Sequence, residues 1–523
     1  MFSTDSAKGM PMKKNRSPEF CIVGAGMSGL LMAIRLKKAG FNNIRVMEKA
    51  PAIGGTWYHN RYPGVACDVP APYYSYSFAL NPDWSQKYAS GDEIYRYFNA
   101  VADRYQIKSL VECNTEILAA RFDGSHWHIQ TNNGETFAAD FLISACGILH
   151  KSVYPEITGL ENFSGKVMHS AQWDSAYPWQ GKRIALIGNG STGVQIIPHL
   201  AREAERLICF QRSAQWIMPV KNKYYGKLHK FLGKYLPGFK QLQYWSHRKT
   251  FENFTTLVLQ DGWQRRITQK VSWATLNTVK DPELKAKLTP DYQPGCKRLV
   301  MSTEYYRAMQ RSNVTLCTET ISHLSEKSIH TINGQSHEVD LLVLATGFDP
   351  RAYMRPIELI NEKGKHLNSV WQEKGIQAYR TVALPDFPNF FMVLGPNSPI
   401  GNFSVISAAE NQTDYIIRCI KRKLALGCVS IAPSAQACEK YNKEIKEAMQ
   451  STIWVSGCKS WYLDEQGNSA TWPWTPGKFR ADLRKVNFDD FVFKEALNNP
   501  EYVIPAEAGI SKNQQHRFPR SRE

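Results

Sequence analysis

The fold is decided by the stretch FCIVGAGMSG at residues 20–29, in which a short apolar strand runs directly into three spaced glycines. An apolar helical pattern follows to residue 38. In this arrangement Gly24 makes a tight turn, Gly26 lets the backbone approach a pyrophosphate, and Gly29 lets the helix pack closely on the strand. The helix N-terminus then faces the phosphates. The stretch predicts a Rossmann-like dinucleotide-binding unit.

The next predicted strand, residues 44–47, ends at Glu48. An acidic residue at this distance beyond a glycine turn accepts hydrogen bonds from the ribose of an adenine dinucleotide. Strand, turn, helix and acid together make a stronger prediction than the glycine spacing alone.

The same pattern returns at residues 183–193, RIALIGNGSTG, followed by an apolar helix and a strand at 207–210. Arg212 lies as far beyond Gly188 as Glu48 lies beyond Gly24. A carboxylate suits a free ribose hydroxyl, whereas an arginine binds a 2′-phosphate. We therefore expect FAD on the first unit and NADPH on the second, although Arg212 could also be a solvated charge at a strand end. The residues predicted to bind NADPH here are Gly188, Gly190, Ser191, Thr192, Gly193, Arg212 and Ser213.

A chain of 523 residues exceeds what one hydrophobic core usually organises. Two predicted strands, at 140–147 and 340–347, end in small residues and a glycine, which permits the chain to cross between lobes. We predict an α/β protein with two Rossmann-like dinucleotide-binding domains and a helical insertion. The boundaries are 1–150 and 348–500 for the FAD-binding domain, 151–220 and 297–347 for the NADPH-binding domain, 221–296 for the insertion, and 501–523 for a disordered tail.

Composition argues against a membrane or secreted protein and against cysteine-based sites. The longest apolar runs fall short of the roughly 18 to 20 residues that span a bilayer, and the first twenty residues contain no secretory signal, so we expect a cytoplasmic protein without a membrane span. Eleven cysteines without a CxxC pair predict reduced thiols and argue against a zinc site and against a flavin disulfide reductase.

The net charge of +17 is the other compositional feature. Its densest stretch, residues 221–266, interleaves basic and aromatic residues, and we interpret it as a solvated helical face. No nucleic-acid-binding motif accompanies the charge, so no nucleic-acid partner is predicted.

The segment FSGKVMHSAQWD at residues 163–174 fits the fingerprint FxGxxxHxxxW(P/D). With this segment the chain resembles the type I Baeyer–Villiger monooxygenases, within the class B flavoprotein monooxygenases, over roughly residues 18–500. The sister group that oxygenates amines and sulfides usually has Tyr or Phe followed by Lys or Arg where Trp173 and Asp174 stand. The resemblance gives His169 a role in positioning the lobes and coupling the cofactors. The fingerprint positions are Phe163, Gly165, His169 and Trp173.

Other segments extend the resemblance and carry expected roles. It assigns Gly55, Thr56 and Trp57 to the loop on the flavin side, Asp68 to the surroundings of the isoalloxazine, Lys297 to the 2′-phosphate, Arg298 to the active-site arginine and Trp461 to the nicotinamide nucleotide. The chain departs from better-known members after Trp461, at residues 464–468 and 472–476.

The resemblance implies a reaction. NADPH reduces FAD, the reduced flavin captures O2 as a C4a-peroxide, and a ketone substrate is converted to an ester or lactone. Arg298 would stabilise the developing negative charge and Asp68 would hold Arg298, although the two could also form a structural salt bridge. The alternatives are an amine or sulfide oxygenase of the same architecture and a non-oxygenating NADPH-dependent flavin reductase.

Overall fold

The computed structural model describes residues 17–259, 262–399, 403–455 and 471–495. The predicted tail at 501–523 and Trp461 lie outside these ranges. The strands are β1 Phe20–Val23, β2 Ile44–Met47, β3 Val111–Glu112, β4 Ile117–Phe122, β5 Trp127–Thr131, β6 Thr136–Ala139, β7 Phe141–Ser144, β8 Lys166–His169, β9 Arg183–Ile187, β10 Arg206–Phe210, β11 Ile217–Met218, β12 Val300–Met301, β13 Val314–Cys317, β14 Ile321–Leu324, β15 Ser328–Thr331, β16 Ser336–Glu338, β17 Leu341–Leu344, β18 Glu358–Ile360, β19 Phe390–Met392, β20 Cys428–Pro433 and β21 Phe491–Glu495.

The helices lie between and after these strands. They are α1 Met27–Lys38, α2 Thr56–His59, α3 Gly91–Arg104, α4 Ser191–Glu203, α5 Lys227–Tyr235, α6 Phe239–Leu259, α7 Trp263–Leu276, α8 Pro282–Lys287, α9 Tyr305–Met309, α10 Leu367–Lys374, α11 Val405–Ala425, α12 Ala435–Met449 and α13 Pro476–Arg484. None of the helices in the described ranges combines the length and the apolar character that a membrane span requires.

Two five-stranded parallel sheets organise the chain. The first has the order β19-β7-β1-β2-β3 and the second β13-β10-β9-β17-β8. In each sheet the strand that precedes a glycine turn, β1 or β9, lies at the centre and pairs with the strand that follows the next helix, β2 or β10. Every residue of β1, β7 and β17 is buried, as expected for parallel strands covered on both faces. The predicted pair of Rossmann-like units is confirmed.

The first glycine of each turn occupies the same steric position. Gly24 and Gly188 have φ angles of +99° and +103°. A Cβ on Gly24 would lie 2.9 Å from the carbonyl oxygen of Ala145, and one on Gly188 would lie 2.5 Å from that of Ala345. Both positions therefore require glycine, because the positive φ and the carbonyl each exclude a side chain.

The last glycine of each turn lets the following helix pack closely on the strand before the turn. A Cβ on Gly29 would lie 1.8 Å from the oxygen of Gly24, and one on Gly193 would lie 2.2 Å from the oxygen of Gly188. Any side chain there would push α1 or α4 off its strand. These are the packing roles that the sequence predicts for these glycines.

Smaller elements complete the molecule. A four-stranded mixed sheet has the order β18-β4-β5-β6, in which β18 runs parallel to β4 and the other neighbours are antiparallel. A three-stranded antiparallel sheet has the order β14-β15-β16. Helices α5 to α8 follow β11 and precede β12.

The cysteines require one correction. Nine described cysteines are free, but Cys296 is disulfide-bonded, so the expectation of reduced thiols is wrong at this position. The absence of CxxC pairs excludes only bonds between near neighbours in the sequence and leaves long-range pairing open.

Candidate active site

One cavity of about 550 Å³ gathers predicted residues from both dinucleotide-binding units. The first glycine turn and the N-terminus of α4 both contribute to its wall. The predicted residues that line it are Gly24, Gly26, Glu48, Gly55, Thr56, Trp57, Asp68, Ser191, Thr192, Lys297 and Arg298. Within the described ranges, no cluster of His, Cys, Asp or Glu side chains could hold a metal ion.

Glu48 is fixed beside the first turn. Its carboxylate is buried and accepts hydrogen bonds from the backbone N–H of Ala25 at 2.7 Å and of Ala50 at 2.9 Å. Each carboxylate oxygen has a second lone pair, so the group can still accept a hydrogen bond from a ribose hydroxyl. The orientation of Glu48 is therefore set before any ligand arrives.

Two glycines bring backbone against backbone at the cavity wall. A Cβ on Gly26 would lie 3.4 Å from the Cα of Gly55, and one on Gly55 would lie 2.9 Å from the Cα of Gly26. Gly55 also has a φ of +53°. This bare backbone at the start of α1 is the kind of surface that a pyrophosphate contacts.

The loop after Gly55 begins the short helix α2 and presents an indole to the cavity. The Nε1 of Trp57 donates to the hydroxyl of Tyr74 at 3.2 Å, and the two rings meet edge to face with centroids 5.7 Å apart. Burial raises the pKa of Tyr74 far above its usual range, so its hydroxyl stays protonated. Trp57 therefore has a defined orientation.

Arg298 and Asp68 form an ion pair at the cavity wall. The Nη2 of Arg298 donates to Oδ2 of Asp68 at 2.7 Å. Their side chains are 34% and 24% exposed, so the pair is partly solvated and adds little to the free energy of folding. The pair places one guanidinium, restrained by one carboxylate, beside the space that both units share.

Two cations meet at the second unit. Burial lowers the pKa of Lys297, Asp291 opposes this effect, and the positive charge of Arg212 lowers the pKa further. The Nζ of Lys297 lies 4.3 Å from the ring centroid of Tyr292. A bound dianion would relieve the repulsion between Lys297 and Arg212. The 2′-phosphate of NADPH is such a dianion. Arg212 and Ser213 follow β10 and do not line the cavity itself.

The second glycine turn leaves room for a ligand. A Cβ built on Gly190 would meet no atom within 4 Å, so open space lies in front of the N-terminus of α4. Ser191 and Thr192 occupy the first turn of that helix and line the cavity. A phosphate can therefore approach the helix N-terminus closely.

The four fingerprint residues do not line the cavity. A Cβ on Gly165 would lie 2.5 Å from Cζ of Phe163, so the small residue is needed for packing. His169 ends β8, and its buried Nδ1 accepts from the N–H of Ala171 at 3.1 Å. Burial lowers the pKa of His169, so the ring is neutral at pH 7. Trp173 is buried in the core of the second unit.

His169 contacts the segment where the chain leaves the second sheet. Its ring centroid lies 5.9 Å from that of Phe348, which follows the predicted lobe border at Gly347 and lines the cavity. His169 itself does not line the cavity, and its positioning role stays a prediction.

Sequence reasoning missed a polar link between the two units. The hydroxyl of Tyr62 donates to Oε1 of Gln195 at 2.8 Å, and Nε2 of Gln195 donates to the carbonyl oxygen of Ala66 at 3.0 Å. Burial raises the pKa of Tyr62 to about 12. The link ties α4 to the segment that carries Asp68. The one available signal was the position of Gln195, one helical turn beyond Ser191.

The apolar wall of the cavity was also missed. It includes Phe251 and Phe254 of α6, Phe403 and Trp454. These side chains come from distant parts of the sequence, and no local motif marks them. In the segment 472–476, where the sequence departs from better-known family members, Trp472 is fully buried, and neither Trp472 nor Trp474 lines the cavity.

Comparison with known proteins agrees with this geometry. A Baeyer–Villiger monooxygenase of Streptomyces coelicolor is 35% identical over 479 residues, which cover 90% of this chain and 91% of that protein. The chain belongs to the Baeyer–Villiger monooxygenase family. A family model described as pyridine nucleotide-disulphide oxidoreductase matches residues 21–229.

Two further comparisons extend the likeness. An uncharacterized monooxygenase of Mycobacterium tuberculosis is 44% identical over 476 residues, 91% of this chain and 96% of that protein. The crystal structure of OTEMO in complex with FAD and NADP superposes with a TM-score of 0.83 at 25% identity and covers 92% of this chain and all of that one. The similarity to these proteins therefore extends over nearly the whole chain.

Proposed function

We propose that this Baeyer–Villiger monooxygenase uses FAD, NADPH and O2 to convert apolar ketones to esters or lactones. The observation that carries the proposal is the shared cavity, at which the Arg298–Asp68 pair meets both dinucleotide-binding units. The same wall includes the aromatic side chains at residues 251, 254, 403 and 454, which suit an apolar substrate.

The first unit fits FAD. The bare backbone at Gly26 and Gly55 would contact the pyrophosphate. The carboxylate of Glu48, already oriented by backbone N–H groups, would accept a hydrogen bond from the ribose. FAD, when bound, supplies the electron transfer and oxygen activation that side chains cannot perform. The residues of the chain orient it and exclude water.

The second unit fits NADPH. Open space at Gly190 would admit the pyrophosphate to the N-terminus of α4, and Arg212 and Lys297 would bind the 2′-phosphate. Trp461, which lies outside the described residues, remains the expected contact for the nicotinamide nucleotide. Preference for NADPH over NADH then depends on the two cations.

Arg298 is the proposed catalytic residue. Attack on a ketone places negative charge on the carbonyl oxygen, and a guanidinium held at the cavity wall stabilises that charge. Asp68 is the positioning residue, because its hydrogen bond restrains the guanidinium and moderates its charge. Both roles require Arg298 to remain charged, which an arginine does at any physiological pH.

The test is product analysis by mass spectrometry with NADPH and isotopically labelled O2. The panel comprises linear, cyclic, aromatic and steroidal ketones, together with one tertiary amine and one thioether. We expect one labelled oxygen atom in an ester or lactone. Oxidation of the amine or thioether alone would contradict the proposal, and so would NADPH consumption that yields only hydrogen peroxide.

We place the enzyme in the cytoplasm. Nine of the ten described cysteines are free, as is usual in a reducing compartment, and the disulfide-bonded Cys296 is the exception. Fractionation of cells expressing the chain tests this location, and recovery from an extracellular fraction would contradict it.

A further inference from the structure

The helical insertion exposes an unusual amount of apolar surface. Of the seventeen large hydrophobic side chains exposed among the described residues, ten lie between residues 224 and 273. The sequence predicts a solvated, charged helical face here, and the structure adds that large apolar side chains are exposed beside the lysines. Exposed apolar patches of this kind mark interaction surfaces.

Helix α5 carries the clearest part of this surface. Leu228, Phe231 and Tyr235 are 71%, 58% and 61% exposed. They follow the i, i+3, i+7 spacing that places side chains on one face of a helix. The rings of Phe231 and Tyr235 pack against each other with centroids 4.9 Å apart. We call these three residues the α5 stripe.

The opposite face of α5 is already packed. Gly233 is buried, and a Cβ there would lie 3.3 Å from Pro82. The ring of His229 stacks on Tyr225 at 4.0 Å and hydrogen-bonds to Gln243 of α6. The α5 stripe therefore lies on the exposed side of a helix whose other side is packed, and it does not belong to the hydrophobic core.

The segment that carries the stripe has charge of a single sign. Residues 221–251 contain seven lysines and one arginine and no aspartate or glutamate. Lys227 and Lys234 are exposed on α5, and the Nζ of Lys234 lies 5.3 Å from the ring centroid of Tyr235. Helix α6 continues the pattern with exposed Leu242, Trp245 and Lys249.

We propose that helices α5 and α6 dock on the surface of a membrane rich in anionic lipid. The α5 stripe would insert at the boundary between headgroups and acyl chains, and the lysines would bind the lipid phosphates. A protein partner fits less well, because lysine is depleted from protein–protein interfaces. The absence of acidic residues over 31 positions matches an anionic surface of large extent.

Helix α6 connects this surface to the cavity. Trp245 is exposed near its start, and Phe251, six residues further along, lines the cavity. Six residues of helix span about 9 Å. An apolar ketone dissolved in the membrane would therefore enter close to the site; this step rests on the proposed function, whereas membrane binding does not.

Co-sedimentation of the holoenzyme with lipid vesicles tests the docking. We expect binding to vesicles of phosphatidylglycerol and phosphatidylcholine at low salt, and weak binding to phosphatidylcholine alone. The Lys227→Gln/Lys234→Gln variant should bind about 25-fold more weakly, since each lysine near an anionic surface contributes about fivefold. The Leu228→Ser/Phe231→Ser variant should also lose binding, whereas the control Leu118→Ser, an exposed leucine elsewhere, should not.

Activity on a water-soluble ketone separates the two proposals. Both docking variants should retain it, which also shows that they fold. Equal vesicle binding by wild type and both variants would overturn the docking proposal. So would an oligomer of the wild type that dissociates in the stripe variant without any vesicle binding, because the stripe would then join two copies of this chain.

Discussion

Arg298 donates to Asp68 at 2.7 Å across a sequence separation of 230 residues. Asp68 belongs to the segment that Gln195 ties to α4, whereas Arg298 lies two residues before β12. The ion pair therefore forms only when the two units are correctly assembled. A substitution at either residue reports on the reaction more than on folding, because the pair is partly solvated.

Replacing Arg298 by alanine should separate the two halves of the reaction. We expect Arg298→Ala to bind FAD and accept electrons from NADPH, since the residues assigned to those tasks are untouched. Ester or lactone formation should fall about 100-fold or more, because the developing oxyanion loses its cation. Stopped-flow absorbance measures the reduction, and gas chromatography measures the product.

The result has two controls. Arg298→Lys keeps a charge and should retain part of the oxygenation, and Asp68→Asn should alter orientation without removing the cation. Product formation by Arg298→Ala at the wild-type rate would show that the ion pair is structural.

The glycine turns and the distant contacts differ in how far the sequence could predict them. Gly24, Gly29, Gly188 and Gly193 each solve a local steric problem, so spacing alone reveals them. The Arg298–Asp68 pair had no local signal, and only family resemblance brought the two residues together. The disulfide at Cys296 and the aromatic cavity wall depend on long-range packing, which motif reasoning does not resolve.

Cofactor preference should depend on the cations after β10 and before β12. In Arg212→Ala, the KM for NADPH should rise about tenfold, because a charge-assisted hydrogen bond to the 2′-phosphate is lost. The KM for NADH should barely change. Steady-state kinetics with both cofactors give the ratio, with Lys297→Ala as a second variant. An unchanged preference in both variants would remove these residues from the phosphate site.

The glycines of the first turn should fail in different ways. Gly29→Ala should destabilise the protein strongly, because the new Cβ would lie 1.8 Å from the oxygen of Gly24. Gly26→Val should fold but lose FAD, because Gly26 faces the space predicted for the pyrophosphate. Gly226→Ala, with no atom near its Cβ, is the matched control. Flavin content and thermal unfolding distinguish the outcomes, and a full flavin spectrum in Gly26→Val would reject the assignment.

Stability should fall on acidification partly through His247 of α6. Burial lowers the pKa of His247 from its ordinary 6.5 to about 4, and the positive charge of Lys87 adds to the effect. The unfolded chain therefore takes up a proton below pH 6.5 that the folded protein excludes until about pH 4. The stabilisation from the neutral ring is complete above pH 6.5 and is progressively lost between these two values.

In His247→Gln, the melting temperature should decline less between pH 7 and pH 4.5 than in the wild type, whereas exposed His366→Gln should follow the wild type. Differential scanning fluorimetry over this range gives the comparison. Parallel curves for the wild type and His247→Gln would mean that the imidazole of His247 is protonated in the folded protein as readily as in the unfolded chain.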